Sequence, residues 1–470
     1  MVMSLWHLLP LAISVGLGDG AAHDFIASMA LNCAAGYILW LTTRRFRREL
    51  KPRDGIALVV FGWVGGAAFA SVPLLMAIPE LSLTDAYFET VSGLTASGGT
   101  VLVGLDDLPA SVNVWRAELQ WLGGLGVLVL AVAILPLLGV GGRQIYRAET
   151  PGPMKDARLT PRITETAKVL WTVYAVLTLA CFFAYAAAGM SWVDALVHAF
   201  TTMGLGGFSS HDASIGYFDS PAIEAVSITF MLIAGVNFAT HFRVWHERSI
   251  LPYRRDPEVM TFIALMLGSV MLISAYLWVN GVYPNFATAM RYALFNTISV
   301  GTTTGYAADD YNLWPLFAPL WILFLGTFAA CSGSTGGGIK MIRAIVLYRQ
   351  IYRDLVRLLH PSAIIPVKVA SQRIPDDVIV GVLAFFFVWT ATLIITMLLL
   401  VATGLDLRTA SSAAVACLSN IGPGLHGVGP TATYGDLSDV QTWICTAAML
   451  LGRLELFTLL VIFTPAFWRK

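Results

Sequence analysis

Ser299-Val300-Gly301-Thr302-Thr303-Thr304-Gly305-Tyr306-Ala307-Ala308-Asp309-Asp310-Tyr311 lies between two long apolar segments. A run of threonine and glycine has little to bury in such a place. Its backbone carbonyls can instead be held in an extended row along an axis, where they replace the water shell of a cation. Glycine permits the backbone conformations such a row needs. Taken alone the stretch reads equally as a bland loop, and repetition is what decides. Asp85 precedes Gly98 by 13 residues and Asp194 precedes Gly207 by 13, with alanine after the aspartate in both. In that register four triplets align: Thr95-Ala96-Ser97 before Gly98, Gly204-Leu205-Gly206 before Gly207, Thr302-Thr303-Thr304 before Gly305, and Ser419-Asn420-Ile421 before Gly422. The half-apolar segments leading into them, 84–94, 193–203, 287–299 and 408–418, are 11 to 13 residues long. That is too short to cross a bilayer and suits re-entrant pore helices.

The 470 residues are 57% hydrophobic and only 12% charged, with mean hydropathy +0.72. Soluble domains carry about twice that share of charge, so the chain is an integral membrane protein. Alternating strands of barrel type are absent and helices must satisfy the backbone, which predicts an all-α polytopic fold. First spans fall at about 55–77, 165–188, 258–280 and 376–401, and second spans at about 114–138, 221–243, 313–347 and 440–467. The expected organisation is an N-terminal helical hairpin and basic loop (1–53), pore unit 1 (54–142), a cytoplasmic loop and pore unit 2 (143–255), pore unit 3 with a broken second span (256–374) and pore unit 4 (375–470). Met1 to Val15 lacks the basic start of a cleavable signal peptide.

With the glycine triplets placed outside, 25 of the 29 Lys and Arg fall on cytoplasmic segments, leaving Arg116, Arg291, Arg408 and Arg453. The opposite side carries Asp106, Asp107, Asp212, Asp309, Asp310, Asp436 and Asp439, a mouth that concentrates cations. Cys33, Cys181, Cys331, Cys417 and Cys445 have no metal spacing and read as packing residues. His198 and His211 have no second ligand at metal spacing, and no metal-ligand cluster or nucleic-acid partner is expected.

Gly326 to Gly338, Gly-Thr-Phe-Ala-Ala-Cys-Ser-Gly-Ser-Thr-Gly-Gly-Gly, interrupts the long second span of the third unit. Glycine and serine in such density do not sustain a helix. Non-helical backbone is tolerated at membrane depth where it is buried in protein or lines a cavity. A plain helix end before Lys340 is the bland alternative. A phosphate loop is excluded, because Ile339 stands where Gly-Lys needs its lysine. Arg453 is placed mid-span, where burial costs about 2.5–3.5 kcal/mol on insertion scales, so it must face a pore or a partner group. Asn420 can donate or accept at the fourth triplet, or simply cap a helix. An intramembrane serine protease fails because Thr95 occupies the glycine that Gly-x-Ser-Gly requires before Ser97-Gly98, and no span supplies a matching histidine.

The chain resembles the Trk-type bacterial potassium uptake proteins, the TrkH/TrkG branch of the superfamily that also holds KtrB and the plant HKT transporters. The resemblance rests on Thr84-Asp85-Ala86 through Gly93-Leu94-Thr95, Gln120-Trp121-Leu122-Gly123-Gly124, and Tyr146-Arg147-Ala148-Glu149-Thr150-Pro151-Gly152-Pro153. It continues through Gly206-Gly207-Phe208-Ser209, His211-Asp212-Ala213-Ser214 and Asn420-Ile421-Gly422-Pro423-Gly424. Ala96-Ser97 departs from the Thr-Thr common in that family, and the N-terminus looks shorter than in typical members. The resemblance implies four span, pore-helix, span units around one pore in the bacterial inner membrane, and no enzymatic activity. It implies a potassium filter built from Thr95, Ala96, Ser97, Gly98, Gly204, Leu205, Gly206, Gly207, Thr302, Thr303, Thr304, Gly305, Ser419, Asn420, Ile421 and Gly422. It also implies a gate of Ser332, Gly333, Ser334, Thr335, Gly336, Gly337, Gly338, Lys340 and Arg453, with the arginine obstructing the path until the loop shifts. Expected associates are the transported potassium ion, a second copy in a homodimer, membrane lipid, and a cytoplasmic nucleotide-binding regulatory subunit of the TrkA type. A sodium-permeable transporter is the alternative. Glycine rather than serine at position 98 argues for potassium, and Ala307 in place of the second glycine of Gly-Tyr-Gly suggests a short, less discriminating filter.

Overall fold

The computed structural model describes residues 1–46, 52–129, 163–370 and 372–469. The quoted stretch 146–153 and most of the basic loop 143–168 lie outside the described residues. The protein is an all-α polytopic membrane protein, with one two-stranded antiparallel hairpin among the described residues, pairing Lys368–Val369 with Gln372–Arg373. Among the described residues five helices are long and apolar enough to cross a membrane, or seven if two bent pairs are each one span.

Four of these, Arg53–Ala77, Ala167–Ala187, Pro257–Val279 and Asp376–Ala402, match the expected first spans. Four short helices follow them: Leu83–Leu94, Trp192–Gly204, Phe286–Gly301 and Leu407–Ser419. Each starts with the same device. Ser82, Ser191, Asn285 and Asp406 accept the backbone N–H of Asp85, Asp194, Thr288 and Thr409 at 3.1, 3.1, 2.8 and 3.0 Å, satisfying an amide that a helix start leaves orphaned. Each ends at a residue pair that stops the helix in one way. Ala96, Leu205, Thr303 and Asn420 take the left-handed conformation with φ of 49°, 51°, 64° and 54°, and a glycine two residues on completes the turn.

The second spans are less regular than their hydropathy suggests. Ala110–Val129 is continuous as far as it is described. In the second unit Pro221–Ala234 and Phe238–Glu247 meet at 94°, and in the fourth Asp439–Arg453 and Phe457–Phe463 meet at 110°. In the third, helix Phe317–Gly326 and helix Met341–Leu359 are separated by the non-helical residues 327–340. Only the third break was expected from composition. The second-unit break has a local cause in Gly235 and in Asn237, whose side chain caps the new helix by accepting from Ala239 N at 2.9 Å. The fourth places Arg453 at a helix end rather than mid-span, with Glu455 and Leu456 at φ of 55° and 37°.

The core is a set of clusters around the central axis. Met203, Phe295, Ile298 and Tyr306 join units 2 and 3, while Phe88, Val91, Ala413, Cys417 and Tyr434 join units 1 and 4. The N-terminal hairpin, with helix Leu8–Leu17 and helix Ala22–Thr43, packs on the flank of unit 1 through Ala21 and Phe25 against Ala70, Leu74 and Trp115.

Candidate functional site

The four glycine loops close a ring. Gly98, Gly207, Gly305 and Gly422 have φ of 85°, 76°, 88° and 93°, a region that glycine alone enters freely. A Cβ on Gly98 would run into the carbonyl oxygen of Gly206, on Gly207 into that of Thr304, on Gly305 into that of Ile421, and on Gly422 into that of Ser97. The order is therefore unit 1, 2, 3, 4 and back to 1, with each glycine set against the carbonyl before the next unit's glycine. Side chains turn back toward their own helices. Thr95 Oγ1 meets Ser97 Oγ at 2.8 Å and Thr302 Oγ1 meets Thr304 Oγ1 at 2.8 Å, which leaves the backbone to line the centre. The short helices present their negative C-terminal ends to the same place, a field that favours cations.

Each wall is braced by different chemistry. Glu89 accepts from Thr100 Oγ1 and Val101 N, each at 3.0 Å, and from Arg116 Nε at 2.8 Å. Arg116 also donates to Ser209 O at 3.2 Å and lies 4.4 Å from the Phe208 ring centre, so a buried ion pair ties walls 1 and 2. Gln120 donates to Gly206 O at 2.7 Å and accepts from Phe208 N at 3.0 Å, fixing wall 2 on both sides of Gly207. In wall 3 Ser299 Oγ donates to Tyr306 O at 2.7 Å. In wall 4 Tyr434 OH donates to Gly422 O at 2.8 Å. Asn420 caps its helix through its backbone. Its side chain reaches away from the centre to Ser97 Oγ at 2.7 Å and Met449 O at 3.0 Å, linking walls 4 and 1. The sequence marks none of Glu89, Arg116 and Tyr434 as braces; polar residues at helical spacing in 110–120 offer a signal for Arg116, and none is found for Glu89 or Tyr434.

The Gly-rich loop lies directly against this ring. Gly337 N donates to Thr303 Oγ1 at 2.8 Å, and Thr335 Oγ1 donates to Met203 O at 2.9 Å. A Cβ on Gly337 would strike Ser419 O. Lys340, at φ 75°, turns its Nζ back onto Gly336 O. Ser334 Oγ donates to Cys331 O at 2.6 Å, and Gly333 O accepts from Phe238 N at 3.0 Å, so the loop seats in the break of the second unit. Arg453 is buried and donates to Thr335 O at 2.8 Å and Gly123 O at 3.1 Å. It thus bolts the loop to the second span of unit 1. The structure brings Thr335, Gly336, Gly337 and Arg453 together beneath the walls, whereas Ser332 and Gly338 lie in the neck of the loop.

The sequence model of the TrkH family, described as cation transport protein, matches residues 21–470. The chain belongs to the TrkH cation transport family. It is 46% identical to the Trk system potassium uptake protein TrkH of Halomonas elongata, covering 100% of this chain and 97% of that one. It is 36% identical to TrkG of Escherichia coli over 99% and 96%. The crystal structure of the potassium transporter TrkH from Vibrio parahaemolyticus superposes with a TM-score of 0.91 at 41% identity, covering 100% of this chain and 97% of that one. These relatives are named as transport proteins, not enzymes.

Above the ring this TrkH-family chain has a vestibule of about 270 Å³ lined by Gly98, Gly207, Gly305, Pro423, Arg116 and Asp212. A larger apolar cleft of about 1320 Å³, between Phe324, Tyr348 and Trp389, shares no residue with the four glycine loops. The acidic mouth residues are largely structural. Asp212 accepts Gly104 N and Leu105 N at 2.9 and 3.1 Å, Asp309 accepts from Tyr283 OH, and Asp310 accepts from Thr431 Oγ1 at 3.1 Å. His211 bridges Asp106 and Asp194 Oδ1, the latter at 3.3 Å, and stacks on Tyr217 at 3.5 Å. Burial opposes its imidazolium, but the bonds to Asp194 and Asp106 outweigh this and raise its pKa above 6.5. Burial likewise opposes ionisation of Asp194, yet bonds from His211, Ser210 and Ser191 hold that carboxyl well below the usual range.

The clasp of His211 on Asp106 and Asp194 therefore contributes fully between the ordinary aspartate value of 3.8 and the unfolded histidine value of 6.5 and fades as pH rises through the raised histidine value. On the acid side it fades as pH falls below the ordinary aspartate value of 3.8. Exposed ion pairs are worth about 0.2–1 kcal/mol. Amide protection factors at 104–105 and 209–213 should accordingly fall up to about fivefold between pH 6 and pH 8. In His211→Ala they should be low throughout. Protection independent of pH in the unaltered protein would remove the clasp.

Proposed function

We propose that the chain takes up potassium across the bacterial inner membrane through a channel-like pore, as the names of its relatives indicate for them. The single observation that carries this reading is the closed ring of four glycines and four carbonyls. Potassium sheds its water at such a ring because preset carbonyl dipoles replace the hydration shell. The filter comprises Thr95 to Gly98, Gly204 to Gly207, Thr302 to Gly305 and Ser419 to Gly422. The gate is the loop Ser332 to Gly338 with Lys340 and Arg453. Four pore units behind an N-terminal hairpin, divided as the sequence suggests, supply one wall each. A sodium-permeable pore is disfavoured by Gly98, whose place admits no side chain beside Gly206 O.

The reading includes a homodimer and a nucleotide-binding regulatory subunit of the TrkA type on the cytoplasmic face. Helix Met341–Leu359 supports such a route, because it leaves the loop directly and exposes Tyr348, Tyr352, Leu355 and Leu358. Uptake of labelled rubidium into proteoliposomes, with sodium as competitor, tests the function. Rubidium and potassium should pass well and sodium poorly, and equal sodium and potassium flux overturns the reading. Gly98→Ser should raise sodium permeation. The new side chain displaces the Gly206 carbonyl from the ring, at a backbone conformation that costs a non-glycine residue about 1–2 kcal/mol, and the relative sodium flux should rise about tenfold.

A further inference from the structure

The neck of the Gly-rich loop is tied across its two limbs. Ile339 N donates to Thr327 O at 2.6 Å and Met341 N to Ala330 O at 2.9 Å. The closing tie comes from outside the loop. Glu258, buried near the start of helix Pro257–Val279, accepts Ser332 N at 2.6 Å and Ile342 N at 3.1 Å on the same oxygen, Oε1. One carboxyl oxygen thus holds two amides ten residues apart in sequence, one entering the loop and one leaving it.

We infer that Glu258 is the positioning residue of the gate: it pins the base of the loop to the first span of the third unit, so that the tip alone moves and rests against the ring. This rests on the reading of the loop as a gate. The physical asymmetry lies in how the bonds are gathered. One Glu258 oxygen and two backbone ties hold both limbs of the neck together, whereas the tip is held by separate bonds of Gly337 to Thr303, Thr335 to Met203 and Arg453 to Thr335. When the loop shifts, the tip bonds exchange one at a time while the neck holds as a unit. Without Glu258 two buried amides lose their acceptor in the observed arrangement alone, and the population moves toward displaced loops.

The test uses the full chain in proteoliposomes with labelled rubidium, together with amide exchange over 327–343. Glu258→Ala should raise basal uptake about tenfold per folded protein, equivalent to about 1.4 kcal/mol, and speed exchange at Ser332 and Ile342. Glu258→Asp, one methylene shorter, should reach only one amide and give an intermediate rise in both. Glu258→Gln keeps a neutral acceptor and should leak less than the alanine variant. Deleting residues 332–337 is the control for the gating reading. If the deletion leaks while Glu258→Ala does not, the inference is overturned and the gate stands. If neither leaks, the gating reading itself is overturned. Should the alanine variant not fold, wild-type uptake in both Asp and Gln variants overturns the inference, and graded leak with graded exchange supports it.

Discussion

Deleting residues 332–337 should raise basal rubidium uptake by about a hundredfold while the preference for rubidium over sodium is kept. The loop tip is held by Gly337 N on Thr303 Oγ1, Thr335 Oγ1 on Met203 O and Arg453 on Thr335 O. At about 1 kcal/mol net for each such bond, these contacts would favour the proposed closed position by about 3 kcal/mol, or about two decades in flux. Selectivity should survive because the ring is braced from behind by Glu89, Gln120, Ser299 and Tyr434, none of which touches the deleted residues. A deletion variant that folds, binds rubidium and conducts no faster would show the segment to be a passive helix connection.

Arg453→Ala should raise basal uptake by between about ten- and a hundredfold and weaken dependence on a regulatory partner. A fixed positive charge about 5 Å from a passing monovalent cation repels it by roughly 3 kcal/mol at an effective dielectric near 20, and each 1.4 kcal/mol is a decade in rate. The geometry adds a second component. Arg453 joins Thr335 O to Gly123 O, so under the gating proposal the guanidinium would both charge the path and hold the loop shut. Arg453→Lys keeps the charge but lacks the fork that spans two carbonyls, and should leak less than the alanine variant. If Arg453 merely staples helices, the alanine variant will melt at lower temperature with no gain in uptake. Uptake and melting temperature measured on the same purified protein separate the two outcomes.

How much was legible follows from where each signal resides. The first spans and the short helices were readable because apolar length and N-cap residues act within a few turns; Ser82, Ser191, Asn285 and Asp406 cap where the half-apolar segments begin. The interruption at 327–340 was readable because glycine density denies the helix locally. The breaks at Gly235 and after Arg453 were not. Apolar residues continue across both, and hydropathy does not distinguish a straight span from one bent by 94° or 110°. Of the four basic residues off the cytoplasmic segments, the sequence marked Arg453 as costly but not what it binds. Arg116 and Arg291 gave no hint that Glu89 and Glu224 neutralise them.

By itself the sequence determined an all-helical membrane protein of repeated units, with glycine at four equivalent places and a break in the third second span. Those properties are set by composition, spacing and local backbone preference. The tertiary structure alone decided that the glycines close a ring, that Asn420 reaches Ser97, and that Arg453 meets Gly123, 330 residues away in sequence. It also decided that Glu258 gathers both ends of the loop. The physical reason is that a buried donor must find some acceptor, yet nothing in its own neighbourhood specifies which; only the packing of the units around one axis chooses the partner.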